Sequence, residues 1–482
     1  MNTTIIWFRR DLRLSDNPAL AAALQDSDHL LPVYIHDPDS EDGWGPGSAA
    51  RWWLHHSLTA LDNALKSLGS GLVVVSGDSL TELRRLVSAS GARRVCWNRL
   101  YEPAIQARDS RIKLALRADG LSVNSFNGSL WFEPWDITRD KGEPYKVFTP
   151  FWKALQKQPS GPAPEPKPGT LPPHPEAVST LPLASLKLLP TIAWDGGFHE
   201  HWQAGEDAAQ TRLEHFIDSG VSSYALERDI PGHPGTSRLA PSLHFGELSP
   251  RQVLWRLRND GRLHAAPGTE SYIRELAWRE FAHHLLFHFP ETIRQPMDQR
   301  FNAFPWRKDY QNDLKAWQQG RTGIPVVDAG MRELWHTGWM HNRVRMIVAS
   351  LLTKNLLIPW QEGADWFWDT LVDADLANNT LGWQWVAGSG ADAAPYFRIF
   401  NPVLQGERFD PDGVYVRRWV PELATLPSPW IHKPWEAPTS LLSGFNIHLG
   451  RNYPHPIVDL KVSRERALEA FKSIKSSAES CP

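Results

Sequence analysis

The first 130 residues alternate short apolar runs with amphipathic segments, and this alternation restricts the fold more than any other feature. Five runs have the length and composition of buried strands: Thr3–Phe8, Leu30–Ile35, Leu72–Ser76, Arg94–Trp97 and Ser122–Phe126. Four segments between them have helical periodicity: Pro18–Gln25, Ala49–Leu68, Leu80–Ser90 and Ala104–Ala118. Strands and helices that alternate at this spacing predict a parallel sheet with right-handed crossovers.

The pattern changes twice after this region. The stretch from Pro159 to Pro190 contains ten prolines and no sustained periodicity, which is typical of a stiff connector and not of a regular element. Beyond Gly205 the pattern is helical in Asp207–Ser219, Pro250–Asn259, Ser271–Phe289, Leu314–Gln319, Val326–Thr337, Arg343–Asn355, Trp366–Leu371 and Ser463–Ile474. We predict a Rossmann-like α/β domain (residues 1–130), a proline-rich connector (131–204) and a larger all-helical domain (205–482).

Composition excludes several classes of protein. The chain has 482 residues, a formal net charge of -3 and two cysteines, Cys96 and Cys481. Two cysteines cannot form a disulfide framework, an all-thiolate zinc site or a conventional iron–sulfur cluster. No apolar run is long enough to span a bilayer, and the first charges follow the first apolar run, the wrong order for a secretory signal. We therefore expect a cytoplasmic protein with no membrane partner.

Tryptophan is unusually abundant, with 24 Trp against 19 Phe and 9 Tyr. Tryptophan is a large packing residue, and its indole N–H needs a hydrogen-bond partner when buried. The excess fits a tryptophan-rich helical core, stacking on planar ligands, or electron transfer through indoles. Composition alone leaves these three interpretations open.

Five motifs in the helical region give a more specific indication. In chain order they are Glu275–Phe281, Gly338–Met346, Asp373–Asn379, Gly382–Gly390 and Asp392–Pro402. Together with Ile6–Arg13 near the start, they resemble the photolyase/cryptochrome flavoprotein family, and within it the cyclobutane pyrimidine dimer DNA photolyases. The segment Trp385–Asn401 is most similar to the bacterial class III branch, and the resemblance extends to about Trp419.

The resemblance implies light-driven DNA repair. In such enzymes excited FADH⁻ donates an electron to a cyclobutane pyrimidine dimer flipped out of DNA, the dimer splits, and the electron returns to the flavin. The implied substrate is UV-damaged DNA, double- or single-stranded, recognised through the lesion and the phosphates and not through sequence. We expect the chain to act as a monomer.

The cofactor-binding residues follow from the same resemblance. The segment Thr236, Ser237, Arg238, Leu239 and Ala240 is similar to the phosphate-binding stretch, with Tyr224 on the same cofactor and Ala240 where the family usually has Ser. Other implied FAD contacts are Asn342, Arg345, Asp373, Asp375 and Asn379. Arg345 and Asp373 resemble the ion pair over the isoalloxazine, and Asp375 resembles the residue at the ring edge. A neutral Asn379 facing flavin N5 suits the reduced anionic ring, whereas plant cryptochromes have Asp there.

The lesion pocket of the family needs flat apolar walls and few polar groups. Trp278 and Trp385 resemble the walls, and Glu275 resembles the carboxyl group that bonds the thymine carbonyl. Asn342 and Met346 occupy positions where (6-4) photolyases similar to the animal enzymes have His. Phosphate contacts are expected from a local basic rim, which matches family positions: Arg228, Arg279, Arg343, Arg398 and Gln405. Glu275, Trp278 and Asn342 are expected to touch the DNA as well.

Two light-related features are also implied. Trp383, Trp360 and Trp306 match the three tryptophans that relay an electron from the surface to photoexcited flavin. An antenna chromophore is expected against the α/β domain, near Glu41, Trp44, the Arg51–His55 helix and the turn Asn98–Pro103. Ala104 and Ile105 stand where folate-binding class I enzymes have an Asn-Glu pair. We nevertheless favour methenyltetrahydrofolate over a deazaflavin, because class III relatives bind folate with other residues.

The residues disfavour two alternative functions and one type of metal site. A blue-light cryptochrome photoreceptor is disfavoured by Asn379, and a (6-4) photolyase is disfavoured by Asn342 and Met346. His284 and His288 lie four residues apart with Glu280 one turn earlier, but no third ligand motif accompanies them. We interpret these three as helix packing and predict no metal site.

Overall fold

The computed structural model describes residues 2–159, 161–175, 178–261, 263, 266–393 and 397–479, with backbone only for 476–479. Cys481 lies outside the described residues, whereas Cys96 is a buried free thiol. Burial raises the pKa of Cys96 to about 11, so this thiol stays protonated.

Five strands form one parallel sheet: β1 (Thr3–Phe8), β2 (His29–His36), β3 (Val73–Ser76), β4 (Arg94–Asn98) and β5 (Ser122–Phe126). Their order is β3-β2-β1-β4-β5, and Thr4 of β1 pairs with Leu30 on one side and Arg94 on the other. Helices α1 (Pro18–Leu24), α2 (Ser48–Ser67), α3 (Ser79–Ser90) and α4 (Pro103–Ala118) connect them. The predicted parallel sheet is confirmed. Strand order reverses between β1 and β4, and such a point leaves a crevice beyond the carboxyl ends of the strands.

The remainder of the chain is helical. Its α-helices are α5 (Phe148–Leu155), α6 (Phe198–His201), α7 (Glu206–Ser219), α8 (Tyr224–Glu227), α9 (Ala240–His244), α10 (Pro250–Asn259), α11 (Pro267–His288), α12 (Gln311–Gln318), α13 (Pro325–Thr337), α14 (Asn342–Ser350), α15 (Trp360–Thr370), α16 (Leu376–Ala387), α17 (Pro402–Phe409), α18 (Val414–Trp419), α19 (Ser428–Ile431), α20 (Thr439–Gly444) and α21 (Leu460–Glu479). Within the described residues, no helix is both long and apolar enough to cross a membrane. The predicted combination of an α/β part and a larger helical part is confirmed.

Several helices differ from the sequence-based expectation. The helices that were not predicted are α5, α6, α8, α9 and α16–α20, although α16 overlaps two of the motifs, Asp373–Asn379 and Gly382–Gly390. Helix α15 begins at Trp360, six residues before the predicted start at Trp366. The predicted helix Arg343–Asn355 is divided, because α14 is followed by a π-helix at Leu351–Asn355.

The connector is more ordered than its proline content suggested. A one-turn 3₁₀-helix, Leu183–Leu186, lies inside the proline-rich stretch. The buried side chains of Leu171, Leu186 and Leu188 belong to the same core as the sheet and α2. Earlier in the connector, α5 buries an apolar face in the helical core. The connector therefore packs against both parts of the molecule.

Buried charged side chains join the sheet to the helical part. The Arg13 guanidinium donates to the carbonyl of Gly128 at 2.6 Å and to that of Gly246 at 2.9 Å. The Glu206 carboxylate, at the start of α7, accepts the Leu14 N–H at 2.8 Å. Buried Glu247 accepts the indole N–H of Trp53 at 2.9 Å. These bonds fix the first turn of the sheet against the helical part, because an unpaired buried charge would be costly.

A further buried carboxylate anchors the connector to α11. Glu280 accepts the backbone N–H of Trp131 at 2.9 Å and is almost inaccessible to solvent. Burial raises the pKa of Glu280 to about 8, although Arg279 nearby works in the opposite direction. On the same helix, His284 accepts the Tyr145 N–H at 3.1 Å, and His288 lies 3.1 Å from the Pro134 carbonyl. These contacts agree with the packing interpretation of the three residues.

Replacing Glu280 by Gln should change how stability depends on pH. The folded pKa of about 8 lies above the ordinary 4.5, so folding takes up a proton between these values and the native protein loses stability as pH rises through them. Relative to the native protein, Glu280→Gln should gain more than ~1 kcal/mol of unfolding free energy between pH 5 and pH 8.5. Urea denaturation at several pH values measures this. Glu436→Gln, at an exposed carboxylate, is the control, and parallel pH profiles for Glu280→Gln and the native protein would contradict the expectation.

Candidate functional site

A cavity of about 590 Å³ opens in the helical part, between α11, α14, α15 and α16. Thirteen of the residues predicted for cofactor, lesion, DNA or electron relay line it: Arg228, Glu275, Trp278, Arg279, Asn342, Arg345, Met346, Asp373, Asp375, Asn379, Trp383, Trp385 and Arg398. These residues lie far apart in the sequence, so the fold itself brings them together. The volume is in the range of pockets that enclose a small-molecule ligand.

An ion pair and a buried carboxylate form the polar floor of this cavity. The Arg345 guanidinium lies 2.8 and 3.0 Å from the two carboxylate oxygens of Asp373. Asp375 begins α16 as its N-cap, where one oxygen accepts the Asn378 N–H at 2.9 Å. Its other oxygen lies 3.3 Å from His244 and 3.5 Å from His283.

The charge of Asp375 is set by its surroundings. Burial by itself would raise the pKa of this carboxyl, but the interactions with His283 and His244 outweigh burial and hold the pKa well below its usual range. Asp375 therefore presents an ionised acceptor at the cavity, even though its side chain is buried.

The amide of Asn379 has a fixed orientation in the structure. Its Nδ2 donates to the carbonyl of Ala364 in α15 at 3.0 Å. That bond leaves Oδ1 as the group available to accept a hydrogen bond from a ligand in the cavity.

One wall of the cavity comes from α11. Glu275 pairs with Arg228 at 2.5 Å, so the carboxylate and the cation largely neutralise one another. The Trp278 indole stacks on the ring of Phe148 with a 3.7 Å centroid separation and a 7° interplanar angle. Arg279 donates to the Ser129 carbonyl at 2.9 Å. Each of these side chains is held by a protein partner before any ligand binds.

The opposite wall is formed by α14 and α16. Asn342 is the first residue of α14, and Met346 lies one turn later on the same side of the helix, so both reach the cavity. Trp385, in α16, is half-buried, and the exposed Arg398 lies over its ring at 5.2 Å. This arrangement leaves an aromatic surface beside a cation.

The predicted phosphate-binding segment adjoins the cavity instead of lining it. Tyr272 in α11 donates to the Ser237 hydroxyl at 2.8 Å, and its ring contacts Tyr224 at 5.1 Å. Arg228, at the cavity edge, lies over the Tyr224 ring at 5.5 Å. Thr236 precedes Ser237 in this segment, Leu239 is the N-cap of α9, and Ala240 is the first residue of that helix.

Arg238 within this segment has a left-handed backbone, with φ of 52°. Its guanidinium lies over the Trp339 ring at 4.6 Å. This side chain therefore packs on tryptophan.

Two predicted phosphate contacts lie outside the described lining of the cavity. Arg343 pairs with Asp229 at 2.9 Å and lies over the Phe409 ring. Gln405 is half-buried in α17, and its Oε1 is buried without a hydrogen bond to the described residues.

The three predicted relay tryptophans lie in different elements and share one apolar core beside the cavity. Trp383 lines the cavity and lies directly against Gly363, where an added Cβ would come within 2.0 Å of the indole. Trp360 lies three residues before Gly363, on the same face of α15, and is buried. Trp306 is half-buried and contacts Phe304 at 4.5 Å. All three pack in or against one apolar core.

A second cleft lies beyond the carboxyl ends of β1 and β2, at the reversal of strand order. Two adjoining cavities of about 60 and 320 Å³ form it, and they share Arg10, Glu41, Trp44, Ile105 and Trp368. Arg10 pairs with Glu102 at 2.6 Å, and burial raises the pKa of Glu41. Glu41 and Trp44, which the sequence analysis expects near an antenna chromophore, both line this cleft. Ala50 and Leu54 of α2 line it as well.

Several contributing residues were missed by sequence reasoning. Phe148 supports Trp278 and lies in α5, whose apolar residues recur at helical spacing, a signal that could have identified it. His283 lies eight residues after Glu275, so two helical turns place it on the same side of α11. Gly363 and Phe367 had no comparable signal, because their contribution is contact with Trp383.

The cavity suits a flat, polar-edged cofactor such as FAD. Asp375 and Asn379 offer acceptors, Arg345 offers a cation beside them, and Trp383 and Phe367 supply aromatic surface. These are the groups that a planar ring with N–H and carbonyl edges needs.

Comparison with known proteins agrees with this reading of the cavity. A family model described as the FAD binding domain of DNA photolyase matches residues 272–473, and one described as DNA photolyase matches residues 4–169. The deoxyribodipyrimidine photo-lyase of Agrobacterium fabrum is 50% identical over 98% of both chains. Cryptochrome-2 of Arabidopsis thaliana is 40% identical over 98% of this chain and 79% of its own length. The crystal structure of a bacterial class III photolyase from Agrobacterium tumefaciens superposes with a TM-score of 0.95, at 49% identity, over 99% of this chain and 98% of the other.

Substituting Gly363 by Ala should disturb Trp383. A helical Gly→Ala change normally stabilises a protein by roughly 0.5–1 kcal/mol. Here the new methyl group would meet the indole at 2.0 Å, and such overpacking should instead destabilise by roughly 1–3 kcal/mol. Urea denaturation measures the change. Gly444→Ala in α20 is the matched control, since nothing lies near its Cβ position; equal behaviour of the two variants would show that Trp383 does not require Gly363.

Proposed function

The chain belongs to the photolyase/cryptochrome family, and from that membership we propose that it is a light-driven DNA repair enzyme, a deoxyribodipyrimidine photo-lyase. The observation that best supports this is the single cavity that gathers the flavin-type polar groups and the lesion-type aromatic walls. When bound, FAD in its reduced form supplies the photoexcited electron that splits a cyclobutane pyrimidine dimer.

The residues of the cavity floor would hold the cofactor ring. Asp375 would accept from the N–H edge of the ring as an ionised carboxylate, and the Arg345–Asp373 pair would lie against its face. Asn379 would present Oδ1 to N5, because its Nδ2 is bonded to Ala364. A reduced flavin carries a hydrogen at N5, so an acceptor that titrates nowhere near neutrality suits that form.

The phosphate-binding segment would hold the remainder of the cofactor. Ser237 is already oriented by Tyr272, and the backbone N–H groups that lead into α9 are available nearby. We assign Tyr224, Thr236, Ser237, Arg238, Leu239 and Ala240 to this role. The Arg238 side chain is stacked on Trp339, so Arg238 would bind the cofactor phosphates through its backbone N–H and would attract them through the more distant guanidinium charge.

The walls of the cavity would receive the flipped lesion. Trp278 and Trp385 present flat surfaces, Asn342 and Met346 line the α14 wall, and the Glu275 carboxyl group, in its protonated form, would donate a hydrogen bond to a pyrimidine carbonyl. Arg228, Arg279, Arg343, Arg398 and Gln405 would meet the DNA backbone. Such contacts position a duplex without reading its sequence, which explains how a chain of net charge -3 can bind DNA. Since one chain builds this cavity, we propose that the enzyme acts as a monomer, in the cytoplasm, where bacterial DNA lies.

We further propose that Trp383, Trp360 and Trp306 relay electrons that restore the reduced cofactor. The half-buried Trp306 would be the solvent end, and the cavity-lining Trp383 would be the inner end. The route is not needed for each repair turnover.

The cleft at the strand ends is the proposed antenna site. Trp44, Trp368 and Tyr34 give it aromatic walls, and half-buried Glu41 gives it a polar group with a raised pKa that can share a proton with a heterocycle. Ala374 lines both this cleft and the flavin-type cavity, so the two chromophores would be neighbours. We propose methenyltetrahydrofolate, with a deazaflavin as the alternative.

A repair assay with defined lesions tests the main proposal. Oligonucleotides that carry one cyclobutane dimer or one (6-4) product are illuminated with the reduced enzyme under blue light, and the restored DNA is quantified. We expect restoration of the dimer only, since Asn342 and Met346 replace the His residues of (6-4) enzymes. Repair of neither lesion, with flavin bound and DNA binding intact, would favour a photoreceptor and overturn the proposal.

The role of Glu275 can be tested separately. Glu275→Ala should keep its flavin and lower the repair rate at saturating DNA by roughly tenfold, because a hydrogen bond to the developing charge is lost. Glu270→Ala, at an exposed position on the same helix, is the control. If Glu275→Ala repairs as fast as the native enzyme, Glu275 has no part in the reaction.

Removing a wall of the cleft should release the antenna. Protein incubated with methenyltetrahydrofolate and freed of excess ligand should show a near-ultraviolet band beyond that of flavin, and Trp44→Ala should lose most of it. Trp255→Ala, which removes an exposed indole from α10, should retain the band. Retention by both variants would place the chromophore elsewhere.

A further inference from the structure

Three metal-ligand side chains meet on the surface, away from the cavity and the cleft. Glu200 and His201 belong to α6, and His336 lies in the last turn of α13. One ligand atom from each lies within 4.8 Å of the other two, and the two imidazole rings are 6.0 Å apart at an angle of 75°. Within the described parts of the chain, none of the three side chains forms a hydrogen bond or an ion pair.

We propose that Glu200, His201 and His336 bind a divalent transition-metal ion of the zinc class. Two imidazoles and one carboxylate are a donor set that zinc takes at three-ligand sites, with a fourth position left for water. Imidazole also suits copper and nickel, so the shared chemistry is that of a borderline-soft divalent cation. Small movements of the exposed Glu200 and His336 side chains would bring the three donors to bonding distance.

The surroundings keep His336 close to the other two ligands. Gly197 precedes α6 and lies so close to the His336 ring that an added Cβ would be 2.7 Å from Nε2. The absence of a side chain there lets α6 approach the imidazole and keeps the ring within reach of Glu200 and His201. His336 also lies at the carboxyl end of α13, where the helix dipole favours a cation.

Positive side chains lie near the three ligands, because Arg238 and Arg418 are close enough to act on His201 electrostatically. Arg238 and Arg418 would oppose a bound cation. The Glu200 carboxylate is the group that offsets this repulsion.

The proposed ion would connect two parts of the fold. Helix α6 is the last element of the connector, and α13 leads through Trp339 into α14, which carries Asn342, Arg345 and Met346. A metal ion bound between α6 and α13 would therefore stabilise the position of α13, and through it that of α14, without contacting the cofactor or DNA in the cavity. The site is structural and takes no part in repair.

Metal titration of the full-length, flavin-bound protein tests the proposal. The protein carries no histidine tag and is freed of metal with a chelator, and Zn²⁺ alone is then added in a calorimeter and in a thermal unfolding assay. The native chain should bind one ion saturably and unfold at a higher temperature with Zn²⁺. His336→Gln and His201→Gln should each weaken binding at least tenfold and abolish the thermal shift.

His199→Gln is the matched control, because His199 is exposed on the same helix but outside the cluster. It should bind Zn²⁺ as the native chain does. Absence of saturable binding by the native chain would overturn the proposal, as would native-like affinity in His336→Gln. Loss of binding in His199→Gln alone would equally overturn it, since the ion would then be held by another group of histidines.

Discussion

The burial of α11 on two opposite sides is the constraint on which the rest of the site depends. One side presents Glu275, Trp278 and Arg279 to the cavity, and the other accepts the connector through Glu280 and His284. A helix with polar groups on both buried sides needs a partner for each of them, since an unsatisfied buried group costs free energy. The connector supplies those partners as backbone groups. The position of α11, and with it one wall of the cavity, is therefore fixed by a segment whose sequence suggests only a linker.

The extent to which the sequence could predict the molecule differs between its parts. The strands of the sheet were predicted to within about one residue, because fully buried parallel strands form short continuous apolar runs between turn residues. Helix α16 escaped detection because its buried face and its apolar residues do not coincide. The polar residues Thr380 and Gln384 lie on the buried face, whereas Leu381 and Trp385 lie away from it, so no single apolar face recurs at 3.6-residue spacing. Motif resemblance located Trp383 and Trp385 nevertheless, but their packing against Gly363 and Arg398 depends on elements distant in the chain.

The charges around the cavity show why net charge was a weak guide to DNA binding. Arg228, Arg345 and Arg343 are each paired with a carboxylate. Their positive charges are therefore partly neutralised, and their side chains are already oriented. Pairing restricts the conformations of long side chains before DNA arrives, which lowers the entropy lost on association. Arg398 is different, because it lies exposed over Trp385 with no carboxylate partner among the described residues. A chain with slightly more acidic than basic residues can thus present a local cationic edge.

Three consecutive residues between α15 and α16 separate the two chromophore sites proposed here. Asp373 turns toward Arg345 and Asp375 caps α16 from the same cavity, whereas Ala374 lies between them and lines the cleft as well. The flanking helix repeats this division, because Phe367 faces the cavity and Trp368 faces the cleft. A larger side chain at 374 would occupy space in both. The small side chain of Ala374 therefore keeps the protein layer between the cleft and the cavity thin. Excitation energy absorbed by a chromophore in the cleft would then have only a short distance to travel to the cofactor in the cavity.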